Sequence, residues 1–151
     1  MDIYQSIKAD HDTLRELLDG MTKAPAERRQ EAFERFKREL WAHSKVEETV
    51  FYTPLRRHDA TRMEILEGLN EHHMIDGLLA ELDAQPAQGE AWQAKAQVLC
   101  ELLTHHLKEE EEKIFGEARN VLKDGQARAL GESWQERRRK VVDALDPKGI
   151  M

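Results

Sequence analysis

Apolar residues recur every three or four positions along most of the chain, a period typical of amphipathic α-helices. The first apolar stripe consists of Ile3, Ile7, Leu14, Leu18 and Met21. Further stripes predict helices over about 27–57, 61–85, 90–123 and 126–145. No alternating stretch of useful length indicates a β-strand, and valine and isoleucine are mostly scattered singly. The sequence therefore predicts an all-α protein.

Capping and stop signals separate the predicted helices. Asp2 and Gln5 have the spacing of a capping box at the start of the first helix. Thr61 and Glu64 repeat this spacing and predict the start of the third helix. His58 is expected to cap the C-terminus of the second helix, where the helix dipole favours a cation. The predicted breaks lie at 20–25, 58–59, 85–89, 124–125 and 146–147.

The chain length and the short connections define the expected architecture. With 151 residues, the chain is long enough for one domain with a substantial core. Short connections favour antiparallel neighbours, so an up-down-up-down antiparallel four-helix bundle is expected over 1–123. Residues 124–151 are expected to form an amphipathic C-terminal helix and tail, packed on the bundle or at a homodimer interface.

Charge and cysteine content narrow the classes of partner. The formal net charge of −7 disfavours binding to nucleic acid or to an anionic membrane. The basic run at 137–140 is flanked by Glu132 and Glu136, so it is interpreted as a solvated helix face. The N-terminus lacks the basic and apolar segments of a signal peptide, and no apolar stretch approaches membrane-spanning length. Together with the single cysteine, Cys100, these features predict a cytoplasmic protein.

Histidine and glutamate occupy core positions on the first four predicted helices. These residues are His11, His43, Glu47, His72, His106 and Glu110. Two of the helices carry the spacing His-x-x-x-Glu, which places an imidazole and a carboxylate one turn apart on the same face. The order His, His-x-x-x-Glu recurs at an offset of about 60 residues, which indicates an internal duplication. Four helices therefore direct imidazoles and carboxylates toward a common centre.

Burial of these groups requires a compensating charge. An ionised carboxylate or an unpaired imidazole in an apolar core costs several kcal/mol, and a shared cation would remove this cost. Imidazole and carboxylate ligands suit iron, zinc or manganese, whereas the lack of cysteine pairs argues against a thiolate zinc site. The Glu-x-x-His motif of ferritin-like oxidases and the His-Glu-x-x-His motif of zinc proteases are both absent. The sequence thus indicates a metal site in the bundle core.

The same pattern resembles that of hemerythrin-like, or HHE cation-binding, domains. The resemblance covers about 1–123 and includes a second acid after each His-x-x-x-Glu pair, Glu48 and Glu111, and the apolar-aromatic pairs at 51–52 and 114–115. It implies a non-haem di-iron centre, in which carboxylates and an oxo or hydroxo group bridge two iron ions. Zinc or manganese are the expected substitutes. The ligands that the resemblance implies are His11, His43, Glu47, His72, His106 and Glu110.

One position departs from the oxygen carriers of this family. Those carriers have a second ligating histidine one turn after the position of His72, where this chain has Asp76. His73 is adjacent but points about 100° around the helix, and His72 is favoured because it aligns with His11 in the duplicated motif. Reversible oxygen carriage is therefore disfavoured. The resemblance implies instead that the protein binds or senses O2, NO or peroxide, or buffers iron.

Two further ambiguities concern the site and the function. His105 and Glu109 have the same spacing as His106 and Glu110, but the second register continues inward through Ile114 and is favoured. The alternatives to a binding or sensing module are a di-iron oxidase or peroxidase, and a metal-free helical interaction protein in which the histidines only pack or form hydrogen bonds.

Overall fold

The computed structural model describes residues 1–145, and this part of the chain contains five helices and no strand. Helix α1 is Ile3–Lys23; α2 comprises Ala26–Val46, a π-helical turn at Glu47–Tyr52 and Thr53–Arg56; α3 is Asp59–Asp83. Helix α4 comprises Gly89–Glu109, a π-helical turn at Glu110–Ile114 and Phe115–Val121; α5 is Asp124–Leu145. The predicted stop at 146–147 lies outside the described residues. The all-α prediction of a bundle with an additional C-terminal helix is confirmed.

The predicted start of the first helix was correct, whereas the boundaries predicted at His58 and Thr61 were wrong. Asp2 and Gln5 form the expected capping box, with the backbone N–H of each donating to the side chain of the other at 2.9 Å. Helix α3 begins before Thr61, whose hydroxyl donates instead to the carbonyl of Leu55 at 2.6 Å. That carbonyl belongs to the last turn of α2 and also accepts a hydrogen bond from the backbone N–H of His58 at 3.2 Å. The C-cap residue of α2 is Arg57, and His58 is the extended residue before α3.

The core contains two apolar clusters, and the helices run between them in alternating directions. The first cluster includes Ile7, Val50, Ile65 and Ile114; the second includes Leu14, Leu40, Ile75 and Leu103. Along the chain, α1 and α3 pass from the first cluster to the second, and α2 and α4 return. This order is that of an up-down-up-down bundle. The buried histidines and glutamates lie between the clusters on all four helices.

Helix α5 packs against α1 and α2 and buries Trp134 completely in the first apolar cluster. At Gly131 it lies against the N-terminus, because a Cβ atom there would overlap the carbonyl oxygen of Met1 and lie 2.7 Å from the carbonyl carbon of Asp2. Both neighbours are backbone atoms, so they cannot move aside as a flexible side chain would. Glycine is therefore needed where α5 contacts the N-terminal residues.

The variant Gly131→Ala is expected to destabilise the protein by about 1–3 kcal/mol, because the added methyl group forces the backbone of α5 away from the N-terminus. Urea unfolding followed by circular dichroism measures this change. The matched control is Gly20→Ala in α1, where no atom lies within 4 Å of the new Cβ. This control should be neutral or more stable by up to about 1 kcal/mol. Equal effects of the two substitutions would contradict the close contact.

Candidate metal centre

All the predicted ligands lie in one layer of the bundle core. Each of these side chains is at most 3 % exposed: His11, His43, Glu47, His72, His106 and Glu110. They extend from α1, α2, α3 and α4 toward the bundle axis, between the two apolar clusters. The neighbouring histidines His73 and His105 are exposed instead. The structure therefore brings together the histidines that the apolar stripes favoured.

The nitrogen and oxygen atoms of this layer form two groups that share both glutamates. Within each group, one atom of each residue lies within 4.8 Å of the others. We call the group with His11 and His43 the α1–α2 subsite, and the group with His72 and His106 the α3–α4 subsite. Both contain Glu47 and Glu110. The shared carboxylates therefore lie where they could bridge two ions.

The distances inside each subsite match those between ligands of one ion. His11 Nε2 lies 3.0 Å from a Glu110 oxygen, and His72 Nε2 lies 3.1 Å from a Glu47 oxygen. His43 Nε2 lies 3.5 Å from the other Glu47 oxygen. Ligands about 2.1 Å from a shared metal ion are separated by about 3.0–3.4 Å in octahedral or tetrahedral geometry. The spacing thus suits one ion in each subsite.

Each histidine of the layer also contacts a second carboxylate through Nδ1. The pairs are His11 with Glu111 at 2.6 Å, His43 with Asp10 at 3.1 Å, His72 with Glu48 at 2.7 Å and His106 with Glu71 at 2.6 Å. A neutral imidazole that donates its Nδ1–H to a carboxylate presents the lone pair of Nε2 to the centre. Metal-binding histidines commonly have such an outer partner, which fixes the ring orientation.

Several atoms that face the centre have no hydrogen-bond partner among residues 1–145. They are Nε2 of His11 and His43, both carboxylate oxygens of Glu47, and Oε1 of Glu110. In addition, the Nε2 atoms of His72 and His106 face each other at 3.1 Å. When the imidazoles are neutral and donate Nδ1–H outward, these atoms are all acceptors, and acceptors at such distances repel unless a proton or a metal ion lies between them. The donor set therefore fits metal ions.

A π-helical turn follows each His-x-x-x-Glu pair. These turns interrupt α2 at Glu47–Tyr52 and α4 at Glu110–Ile114. Because a π-helix joins residues i and i+5, the residue five positions after each glutamate stays on the core side. Those residues are Tyr52 and Phe115, both buried. The apolar period predicts regular helices here, because it contains no signature of a single π-helical turn.

Tyr52 is a polar residue of the centre that sequence reasoning missed. Its hydroxyl donates to Glu110 and lies 3.5 Å from His106 Nε2, and its ring stacks on His72 with the centroids 5.3 Å apart. Gly68 of α3 leaves room for this hydroxyl, because a Cβ atom there would lie 2.8 Å from it. The equivalent residue of the second half is Phe115, so the phenol is present only beside the α3–α4 subsite.

Asp10 and Glu71 were also missed as partners of the histidines. They directly precede His11 and His72 in the duplicated motif, and this repetition is the signal that could have identified them. Each contacts the histidine of the next helix, not its own neighbour in sequence. Such cross-helix pairing depends on the helix packing and is not visible in the sequence pattern.

Burial and nearby carboxylates act in opposite directions on the pKa values of the cluster. Burial lowers the pKa of His43, but the carboxylates of Glu47 and Asp10 outweigh it and raise the pKa to about 10. Burial also raises the pKa of Tyr52 well above its usual value, and Glu110 adds to this effect. Without metal, protons balance the buried carboxylates. A metal ion bound by these imidazoles would therefore compete with protons for them.

The fold and the site together define a class of protein, the helical-bundle domains whose core presents histidine and carboxylate ligands for metal. The model of the family described as hemerythrin HHE cation binding domain matches residues 2–118, and the chain belongs to this family. The resemblance inferred from the sequence is thus confirmed. Comparison with the curated proteins found no significant match.

A solved structure with the same fold is that of a hemerythrin HHE cation binding domain-containing protein, an Rv2633c homolog from Mycobacterium kansasii. The TM-score is 0.87 at 23 % sequence identity, and the alignment covers 99 % of this chain and 95 % of that chain. The C-terminal helix is therefore part of the shared fold. Among residues 1–145, no helix has the length and apolar character needed to cross a membrane.

Proposed function

We propose that this protein binds two iron ions in a non-haem di-iron centre. The proposed ligands are His11, His43, Glu47, His72, His106 and Glu110. The observation that carries the proposal is the buried layer of acceptor atoms described above, in which five atoms lack a hydrogen-bond partner among residues 1–145. Membership of the HHE cation-binding family supports it.

The ligand chemistry supports iron with manganese or zinc as substitutes. Each subsite offers two imidazole nitrogens and two shared carboxylates, a mixed nitrogen and oxygen set that first-row metals accept. The only cysteine, Cys100, belongs to neither subsite. An oxo or hydroxo group would complete the bridge between the ions.

The proposed activity is the binding or sensing of a small ligand such as O2, NO or peroxide, or the buffering of iron. The di-iron pair supplies a redox-active Lewis-acid site for such ligands. The chain supplies an apolar enclosure: aromatic side chains of the first apolar cluster cover one side of the layer, and leucines of the second cover the other. With metal bound, the outer carboxylates would hold each neutral imidazole in the tautomer that presents Nε2.

A second candidate function, turnover of peroxide by the same centre, is favoured by Tyr52. Its buried hydroxyl donates to Glu110 and lies near His106, so it can donate a hydrogen bond to a ligand at the α3–α4 subsite. Peroxide consumption by the iron-loaded protein would favour the enzyme, and tight binding without turnover would favour the sensor. The variant Tyr52→Phe keeps the ring and should lower turnover while leaving the iron content unchanged.

Metal analysis of protein purified from iron-replete cells tests the proposed centre. We expect about two iron ions per chain, and at least one fewer in His43→Ala, with the helical circular dichroism signal retained. The control is His105→Ala, which removes an exposed histidine and should keep both ions. Iron-free wild-type protein, or unchanged iron in His43→Ala, would overturn the assignment.

A further inference from the structure

The carboxylates behind the histidines are held differently in the two subsites. In the α1–α2 subsite, Asp10 accepts a hydrogen bond from His43 and others from Arg138 Nε, which lies 3.1 Å and 3.3 Å from its oxygens. Arg138 belongs to α5 and also donates to Glu39 of α2 at 2.8 Å. A planar guanidinium with two anchors is a rigid donor. Helix α5 therefore fixes the partner of His43.

The other histidine of the α1–α2 subsite has a similar support. Glu111, the partner of His11, lies 2.9 Å from Arg15 Nη1 of α1. The two outer carboxylates of this subsite, on Asp10 and Glu111, are only 12 % and 19 % exposed. Both are thus oriented by arginine and largely shielded from water.

The outer carboxylates of the α3–α4 subsite have weaker support. Glu48, the partner of His72, is 27 % exposed and lies 3.9 Å from the Nζ of Lys45. Glu71, the partner of His106, is 25 % exposed and lies 3.9 Å from the exposed His105. At these distances neither Lys45 nor His105 makes a hydrogen bond to the carboxylate. Both carboxylates are therefore freer to turn toward solvent.

The α1–α2 subsite is also better shielded from solvent than the α3–α4 subsite. Trp134 of α5 is completely buried and lies edge-on to His43, with the ring centroids 5.4 Å apart. On the opposite side of the bundle, α3 and α4 border a cavity of about 70 Å³ that Gly68, Glu71 and His105 help to line. Water and small solutes therefore approach the α3–α4 subsite more closely than the α1–α2 subsite.

We infer that the two metal ions are held unequally: the α3–α4 subsite releases its ion first, and the α1–α2 subsite retains its ion because α5 clamps the Asp10–His43 pair. This inference rests on the proposed two-metal centre. Loss of the outer partner of a ligating histidine typically lowers metal affinity by about 10–100-fold, so a fixed partner and a mobile one give different retention. Arg138 is a positioning residue, since it acts on the metal only through Asp10 and His43.

Release of cobalt(II) to excess chelator tests this order. The wild-type protein loaded with two cobalt ions should lose them in two phases of equal amplitude, with rates at least about 10-fold apart. Cobalt(II) quenches a nearby indole, so tryptophan fluorescence should recover with the slow phase. Recovery with the fast phase would overturn the assignment of the slow ion to the subsite beside Trp134.

Substitution of Arg138 identifies its role. Arg138→Met should accelerate the slow phase about 10-fold and leave the fast phase unchanged. Glu39→Gln should accelerate the slow phase by a smaller factor. Arg138→Lys keeps the charge and should release the slow ion more slowly than Arg138→Met does. The matched control is Arg137→Met, which removes the same charge from an exposed position of α5 and should change neither phase. A general loss of fold would instead alter both phases and the circular dichroism spectrum.

The outcomes separate this inference from the proposed function. If the chain binds no cobalt or iron, both the di-iron proposal and the inference fail. If it binds two ions that leave in a single phase, or if Arg138→Met accelerates only the fast phase, the inference is overturned while the two-metal centre stands. If Arg138→Met does not fold, Arg138→Lys and Glu39→Gln decide by the same measurement.

Discussion

The variant Glu47→Gln is expected to lose both metal ions, whereas loss of a single histidine should remove one. Glu47 belongs to both subsites, and its two oxygens face different histidines, Oε1 toward His72 and Oε2 toward His43. The amide of glutamine is neutral and offers only one oxygen, so it cannot bridge two cations. We expect affinity for each ion to fall at least about 100-fold, beyond the effect of losing an outer partner.

Metal titration of the purified variants, with cobalt(II) as the probe, measures this effect. The matched control is Glu48→Gln, which changes the next residue and contacts only His72 in the layer. That control should weaken only the ion of the α3–α4 subsite. If Glu47→Gln still bound two ions with nearly wild-type affinity, the carboxylate would not bridge them and the paired site would be wrong.

The fold was predictable because its signals are local and redundant. The period of the apolar residues specifies helices, and the short connections restrict how those helices pack. The candidate site was predictable for a related reason: six polar residues interrupt otherwise apolar stripes, and the interruptions repeat in both halves of the chain. Burial of all six followed from the same stripes that define the core.

The missed features depend on geometry that has no local signature. Tyr52 reaches the centre only because of a π-helical turn, which shifts the helix register within one turn. Asp10 contacts His43 from a neighbouring helix, and Arg138 contacts Asp10 across 128 positions of the chain. Such pairings follow from the way helices pack together, so the periodicity of residues along one helix does not reveal them. Thr61 was misassigned because its hydroxyl has a partner in the preceding helix.

The stability of the metal-free and metal-loaded proteins is expected to depend on pH in opposite ways. In the metal-free fold, nearby carboxylates raise the pKa of His43 from 6.5 to about 10, and they also raise the pKa values of His11, His72 and His106. A group whose pKa is raised on folding contributes stability below its unfolded pKa, and this is lost as the pH rises through the folded pKa. The metal-free protein should therefore lose stability between about pH 6.5 and 10.

Metal binding has the opposite dependence because the ligating imidazoles must be neutral, so affinity increases with pH. The lowered pKa values of Glu47 and Glu110 do not change this window, because both carboxyl groups are already ionised above their usual range near 4.5. A ligand present at about 1,000 times its dissociation constant stabilises the native state by about 4 kcal/mol, which corresponds to about 8–16 °C in melting temperature for a chain of this size. The difference between loaded and metal-free melting temperatures should therefore be small near pH 6 and about 10 °C near pH 9.

Thermal melts followed by circular dichroism at the two pH values check this prediction, with protein loaded at neutral pH and then exchanged into each buffer. The variant Glu47→Gln is the control, since metal should raise its melting temperature much less than that of the wild-type protein near pH 9. A metal-free protein that became more stable from pH 6 to pH 9 would show that the imidazoles are not protonated by the carboxylates around them. The buried charge would then be balanced in some other way, and competition between protons and metal could not govern the site.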